Sequence, residues 1–361
     1  MDTVELAHDL APLLDPGGDW DALLSRSTAN TLFLTSGWLR AARQTLAADG
    51  EVLVPHVWRG GRLVAAGAFH ARDGVVEFLG TGPGDYLDLL FDPALGEHER
   101  LQLTHALLAR VIDAVPRFRC FRLRRLVSGE GTPERLRCLA PFHTAPLDTI
   151  RAPSMEMHAA EAALKKQSLR RKVNKLKRAG DLRTAHFTTA EAIRPRLPEL
   201  FRLHRARWEA HSQFHDPAQV RFFERAVEEL GDSGFLRLTE VRLDDALIAT
   251  HLGFCHAGRF TWYKPAFDPE FSKYSPGLVL LVRLLERALE EGAEELDFTI
   301  GREDFKLRFA TLEREVVDLY VTDSWVRKVA VESRMQAREA VKTWMDDRGW
   351  WAPLRRVVAG G

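Results

Sequence analysis

Cysteine is scarce: Cys120, Cys138 and Cys255 are the three in 361 residues. They lack ligand-like spacing, which excludes a disulfide framework or structural zinc and suits a reducing cytosol. Long apolar runs are missing too, and no window reaches the roughly 20 residues needed to span a bilayer. The opening MDTVELAHDLAPLLD has neither a basic n-region nor a long apolar core, so no signal peptide is expected. Net charge is absent, with 51 Lys plus Arg against 51 Asp plus Glu, so the average charge predicts no nucleic-acid binding. No low-complexity tract suggests disorder, and no GxSxG elbow or Cys–His signature argues for hydrolysis. His211 and His215 bracket a loop without a third clustered ligand, so no metal is expected. A soluble protein remains, with 45% apolar residues for an ordinary core and a length that favours two domains.

What is present concentrates in Trp262–Phe309. Ser275 reads as an N-cap, Pro276 fits the first helical position, and Gly277 leaves the first turn bare. Leu278, Leu281, Val282, Leu285 and Leu289 then follow at helical spacing, and Gly292 stops the run. A bare helix start exposes unpaired N–H groups that favour phosphate or another anion, although a mere tight turn has the same residues. Upstream, Phe235–Arg242, Leu247–Cys255 and Phe260–Lys264 read as a three-strand meander. Downstream, Leu296–Ile300 and Val316–Val321 read as strands. The first half gives a weak echo. Glu51–Trp58, Arg62–His70 and Val75–Leu79 form a meander, followed by a glycine loop at 80–84, a strand Tyr86–Phe91, a helix over Glu97–Ala114 and a strand Arg119–Leu126. Pro141–Ser154, with three prolines, reads as the connection. Glu161–Ala179 reads as one helix whose narrow apolar stripe leaves a cationic ridge, either a solvated face or a landing surface for a polyanion. The tail from Ser324 reads as a helix followed by Gly349–Arg356, where tryptophans beside arginines suit either packing or a membrane interface.

This order resembles the GNAT acyltransferase superfamily. Tyr263, Phe267-Asp268, Tyr274-Ser275-Pro276-Gly277, Gly292, Asp297-Phe298, Gly301 and Lys306 resemble its CelD-like branch, associated with cellulose and polysaccharide biosynthesis and akin to Fem-type peptidyltransferases. The resemblance implies an α/β (α+β) fold of two tandem GNAT-like domains, each a mixed, mainly antiparallel sheet flanked by helices. The expected boundaries are 1–150, 151–323 and a helical tail over 324–361. The implied activity is acyl-CoA-dependent N- or O-acyl transfer, with acetyl-CoA or another acyl-CoA as co-substrate. The acceptor would be a sugar, nucleotide-sugar or envelope precursor, small or lipid-linked, and the location cytoplasmic, with peripheral contact at the inner face of the membrane an option. The alternatives are a Fem-type aminoacyl-tRNA-dependent ligase, the one reading with a nucleic-acid partner, and a non-catalytic GNAT pair acting as a scaffold.

The residues then take provisional roles. Tyr274, Ser275, Pro276, Gly277 and Leu278 are expected to hold the donor phosphates. Asp297, on a strand whose Leu296 and Phe298 face the other way, is expected either to orient or deprotonate the acceptor or to form a structural ion pair, and Lys306, returning on the Gly301 loop, to contact a phosphate or carboxylate or to pair with Asp297 or Glu303. His251 is a base candidate or a satisfied core histidine. Arg170, Arg171, Lys175, Trp208, Tyr263, Arg302 and Glu303 are expected at the acceptor. Phe305 stands where the family often has tyrosine, which removes a phenol acid from that position.

Overall fold

A computed structural model describes residues 3–347 except 12, 129, 130, 139 and 302. The first half supplies strands β1 (Glu5–Ala7), β2 (Glu51–Arg59), β3 (Arg62–Ala66), β4 (Phe69–Arg72), β5 (Val75–Phe78), β6 (Leu90–Phe91) and β7 (Cys120–Val127). Its helices are α1 (Asp19–Arg26), α2 (Ser36–Thr45), α3 (Glu97–Ala114) and α4 (Thr132–Arg137). β8 (His143–Glu156) crosses to the second half, where α5 (Met157–Leu164), α6 (Gln167–Ala179), β9 (Leu182–Phe187), α7 (Ala190–Ile193), α8 (Leu197–Trp208) and α9 (Pro217–Glu229) follow. Then come β10 (Leu236–Leu243), β11 (Ala246–His256), β12 (Arg259–Thr261), β13 (Lys264–Phe267), α10 (Pro276–Glu290), β14 (Glu295–Asp297), α11 (Asp304–Phe309), β15 (Leu312–Thr322) and α12 (Trp325–Asp347).

The strands join in the order β6-β3-β2-β4-β5-β7-β15-β8-β14-β12-β11-β10-β9, with β1 on β2 and β13 on β11. Pairing is antiparallel except β5 with β7 and β12 with β14. Each parallel pair is bridged by a crossover helix, α3 in the first half and α10 in the second, so the weak sequence echo is a repeated β-α-β crossover. This is the mixed α/β architecture of two like halves that the residue pattern implies.

The halves share sheet and core. β15, from the end of the chain, lies between β7 and β8 and pairs with both. Trp38 of α2 meets Phe222 and Phe223 of α9, Phe254 of β11 and Tyr263 at ring-centroid distances of 4.8–6.5 Å. Trp38, Phe222, Phe223 and Phe254 are essentially inaccessible. Burying each ring contributes about 1.5–3 kcal/mol, and edge-on aromatic pairs about 0.5–1.5 kcal/mol more, so this junction is a core and not a hinge.

Four expectations are corrected. Pro141–Ser154 does connect the halves, but most of it is β8 and not a loop, so the 150/151 boundary falls within a strand. Its prolines misled because Pro146 sits at the register shift opposite Leu319, where β14 does not reach, and a bulge needs no N–H there. The strand expected over Arg62–His70 breaks at Gly67, where a Cβ would lie 2.6 Å from Leu89 Cδ2. Tyr86–Phe91 is a strand only at Leu90–Phe91. Glu161–Ala179 is two helices, α5 and α6, with extended Lys166 between them. That break lets both pack on α10, α5 through Ala160 and Ala163 and α6 through Leu169 and Leu176. The tail segment 349–356 lies outside the described residues.

Candidate functional site

The site starts where two parallel strands part. β12 and β14 run in register from Arg259↔Glu295 to Thr261↔Asp297, and the Trp262 N–H donates to the Asp297 carbonyl at 2.7 Å. Beyond that point β13 pairs with β11 alone. The other chain bends away through Thr299 (φ 56°) and Gly301 (φ 129°), held to β8 by Phe298 N–H to Pro153 O and Gly301 N–H to Arg151 O. A wedge results, with Tyr263 and Lys264 on one side and Phe298 and Thr299 on the other.

α10 starts at the end of the loop that leaves β13. Asp268 caps the preceding turn by accepting from Glu270 N–H. Ser275 is not the side-chain N-cap expected: it is left-handed (φ 57°, ψ 55°), and its hydroxyl accepts from Lys172 Nζ at 2.7 Å. Lys175 Nζ donates to the Lys273 carbonyl at 2.6 Å and lies 5.2 Å from the Tyr274 ring centroid. The basic helix is thus docked on the anion-favouring helix start, and Lys175, expected at the acceptor, lies against the loop before α10. Leu278 N–H is used by Ser275 O, and Pro276 has none, so Gly277 presents the outward amide of the first turn. A Cβ at Gly277 would lie 3.2 Å from the Phe267 ring, whose face is covered by Arg207 at 4.7 Å. Among the described residues none of Lys165, Lys166, Arg170, Arg171, Lys172, Lys175, Lys177 and Arg178 forms an ion pair. A groove of about 520 Å³ runs between α6 and α10, floored by Leu164, Leu169, Val173 and Val282 and edged by Lys165, Arg170, Lys177 and Arg283.

On the opposite face of β14, Asp297 is 1% exposed. Its Oδ1 accepts from the Tyr86 hydroxyl at 2.8 Å and from Thr299 N–H at 2.7 Å. Burial pushes its carboxyl up to about 6 against these two donors. Leu296 and Phe298 point the other way into the core under α10, as strand parity requires. Behind Asp297, Arg314 donates twice to Glu295, at 2.5 and 2.6 Å, and to Ser154. A small cavity lined by Tyr86, Leu87, Asp88, Arg259, Asp297 and Arg314, together with Thr28–Leu34 residues, links the halves here.

Lys306 does not reach Asp297 in any bond of the structure. It is buried, donates to Ile300 O at 2.8 Å and pairs with Glu303 at 3.0 Å, closing the Gly301 loop. His251 takes its core alternative: Nε2 accepts from Tyr263 N–H at 3.1 Å, the ring stacks on Trp262, and burial lowers its pKa to about 3. A neutral imidazole with that lone pair engaged is no base, and it fixes the strand step at Tyr263. Tyr263 is 5% exposed and its hydroxyl donates to Pro83 O, so it anchors the glycine loop and lines no open groove. Trp208 is 37% exposed beside Arg207 at the β13 edge. Arg170 and Arg171 stand on the exposed face of α6, and Arg302 lies outside the described residues. Phe305 packs against Trp262 and Phe298. Among the described residues no three His, Cys, Asp or Glu side chains gather as metal ligands, and no helix is long and apolar enough to cross a membrane.

Pattern reading missed residues in both halves. Tyr86 and Asp85 follow the glycine loop of the first half, and Lys264 follows the Tyr263 strand step of the second. A GDY run after a glycine-rich loop was the one available signal, and its partner lies 211 positions away.

Residues 164–307 match the family described as acetyltransferase (GNAT) domain. No curated protein sequence matches the chain. Three solved structures share the fold. FemX is 12% identical with a TM-score of 0.61, over 88% of this chain and 96% of FemX. The C-terminal domain of a putative lysylphosphatidylglycerol synthetase from Agrobacterium fabrum is 13% identical with a TM-score of 0.54, over 89% and 94% of the two chains. A tandem GNAT protein from the clavulanic acid biosynthesis pathway is 16% identical with a TM-score of 0.51, over 89% and 98%. The second half of this chain is therefore a GNAT domain, and the whole chain has the fold of tandem GNAT and FemX structures.

Proposed function

We propose that this protein is an acyl-CoA-dependent N- or O-acyltransferase, in the simplest case an acetyltransferase, acting on a sugar, nucleotide-sugar or other envelope-precursor acceptor. The observation that carries the donor half of this reading is the start of α10: the Gly277 amide, flanked by Lys172 and Lys175, opens beside the wedge between β13 and β14. Donor phosphates at that seat would point the thioester into the wedge. On the other face Asp297 stands ready to orient or deprotonate the attacking group, and Tyr86 supplies a hydroxyl from the first half. Lys306 holds the loop that shapes the mouth and brings a positive charge to it. The envelope-precursor acceptor rests on the CelD-like resemblance alone.

Calorimetric titration with acetyl-CoA tests the reading, with Gly277→Glu as the control. Binding by the wild type and none by a folded Gly277→Glu supports it. No binding by the wild type overturns it. One observation favours a second reading, transfer from aminoacyl-tRNA: the eight cations along residues 165–178, which pair with no carboxylate among the described residues, exceed what a small donor's phosphates use. Binding of aminoacyl-tRNA without acetyl-CoA would select that reading, and binding of neither would leave the scaffold.

A further inference from the structure

At the edge of β13 a row of side chains leads away from the start of α10, and the chemistry above leaves its outer end unused. The Phe267 ring lies against Gly277, where a Cβ would stand 3.2 Å from it. Arg207, near the end of α8, covers that ring at 4.7 Å from its centroid and lies 5.1 Å from the Trp208 ring. Trp208 is the last residue of α8 and is 37% exposed. The buried His204 ring, one turn earlier, lies 6.0 Å from it and is hydrogen-bonded through Nδ1 to Ser212 Oγ at 2.8 Å.

A single exposed aromatic is ordinary on a protein surface. Trp208 differs in how it is held. The next residue, Glu209, has φ 45° and ψ −129°, a conformation that residues with a Cβ rarely adopt. Its carbonyl accepts from Ser212 N–H at 3.1 Å and is hydrogen-bonded to His215 Nε2 at 2.8 Å, so the strained turn is pinned. α8 therefore stops at Trp208, whose indole is flanked by Arg207 and His204 and still opens to water. Among the described residues Arg207 makes no ion pair and no side-chain hydrogen bond, so its N–H groups stay available. An indole fixed beside a guanidinium is a surface on which a planar base stacks, because every base has a π-face.

We propose that Trp208 and Arg207 form a stacking platform for a nucleotide base whose phosphates sit at the Gly277 amide. The phosphate seat rests on the transferase reading; the platform does not. Its place at the end of a row that begins at Gly277 favours the adenine of the acyl donor over the base of a nucleotide-sugar acceptor. Arg207 is then free to donate to a phosphate carried on the ribose. The donor class narrows from any acyl thioester to one that carries a nucleotide.

The test reads Trp208 by its own fluorescence. Trp208→Phe keeps a stacking ring and removes that fluorophore, so the difference between wild type and variant is the Trp208 signal. Adenosine bisphosphate, the nucleotide end of CoA, should quench it, and ribose phosphate at the same concentration should not. In calorimetry Trp208→Phe should bind acetyl-CoA within about threefold of wild type and Trp208→Ser about tenfold more weakly. Both should bind S-acetyl-phosphopantetheine, which has no base, as wild type does. Quenching by uridine diphosphate and not by adenosine bisphosphate supports the platform and assigns it to a nucleotide-sugar acceptor. No quenching by either nucleotide overturns it, as does an equal loss of both donors in Trp208→Ser. Quenching by adenosine bisphosphate with acetyl-CoA affinity unchanged in Trp208→Ser overturns it too. If acetyl-CoA fails to bind while a nucleotide still quenches Trp208, the transferase reading falls and the platform stands. If acetyl-CoA binds and neither nucleotide quenches, the platform falls and the transferase reading stands.

Discussion

The two halves carry the same crossover and finish it differently. In the first, the chain leaving β5 turns back, and Leu87 N–H bonds to Arg125 O beside β7, so the parting of the parallel strands is closed. Its crossover helix α3 opens with Glu97 and Glu99; Glu99 accepts the Gly96 N–H and Glu97 pairs with Arg135. That helix end has satisfied itself with its own carboxylates. In the second half α10 has no acid in its first turn, keeps a bare glycine, and draws two lysines from α6. Both helix starts have the same dipole, but only the second is free for an external anion. The closed half has moved its loop across instead, and puts Asp85 and Tyr86 at the open half's wedge. In the proposed reaction one half is the binding frame, and the other lends it side chains.

The sharpest way to break that comparison is at Asp297, where the halves meet. If it acts on the chemical step, Asp297→Asn should slow turnover about 10²–10⁴-fold in a folded protein. Stability should change in the opposite sense. The folded pKa of about 6 lies above the ordinary 3.8, so the folded chain holds a proton the unfolded chain releases. The stability due to that proton is full below about 4 and is lost as pH rises through about 6. Asp297→Asn should therefore match wild type at pH 4 and melt higher at pH 7, by roughly 3 kcal/mol at most. Full turnover, or a lower melting temperature at pH 7, removes Asp297 from the chemistry.

The second test moves the first half's device into the second. Gly277→Glu places an acid in the first turn, as Glu97 and Glu99 stand in that of α3, and should lower acetyl-CoA affinity about 100-fold, by charge repulsion and by crowding Phe267. Removing the acids of the closed half, Glu97→Gln with Glu99→Gln, should leave donor affinity unchanged. Donor binding gained by the double variant, or kept by Gly277→Glu, would erase the distinction between the two helix starts.

A third, smaller effect separates the lysines docked on α10 from the rest of the ridge. Lys172→Met and Lys175→Met should each weaken acetyl-CoA binding about tenfold, the size of one charge-assisted hydrogen bond. Calorimetry on the folded variants reads this directly, and unchanged affinity in both would detach the basic helix from the donor.

Legibility followed locality. The helix Glu97–Ala114 is legible to the residue, because its apolar period and the breaks around it lie in one stretch. The start of α10 is legible from Pro276 and Gly277, although Ser275 serves Lys172 and not its own helix. β8 was hidden because prolines at a bulge and an open edge look like a linker when the partner strand is about 170 positions away. The candidate site was half legible. Asp297 could be placed by strand parity within five residues, whereas Tyr86 reaches it only through the packing of one half on the other. Tyr263 and His251 were the reverse case: their types suggested chemistry, and the fold spends both on holding strands and the glycine loop.

The smallest effect belongs to the cations that face water. Arg170 and Arg171 are exposed on α6 and, unlike Lys172 and Lys175, make no bond to the loop before α10. Exposed charges act through a field screened within about 8–10 Å at physiological ionic strength. For a small CoA donor, Arg170→Ser with Arg171→Ser should change affinity less than about threefold, and the difference should vanish as salt is added. An RNA donor would respond otherwise, because removing each cation that neutralises a phosphate lowers the salt slope by about one. Measuring affinity for acetyl-CoA and for aminoacyl-tRNA across a salt series therefore settles what the ridge is for. A flat, small effect keeps α6 as the flank of a nucleotide seat in the open half. A steep salt dependence for RNA that the double variant halves makes it a nucleic-acid surface, and the acyl-CoA reading then yields to the aminoacyl-tRNA one.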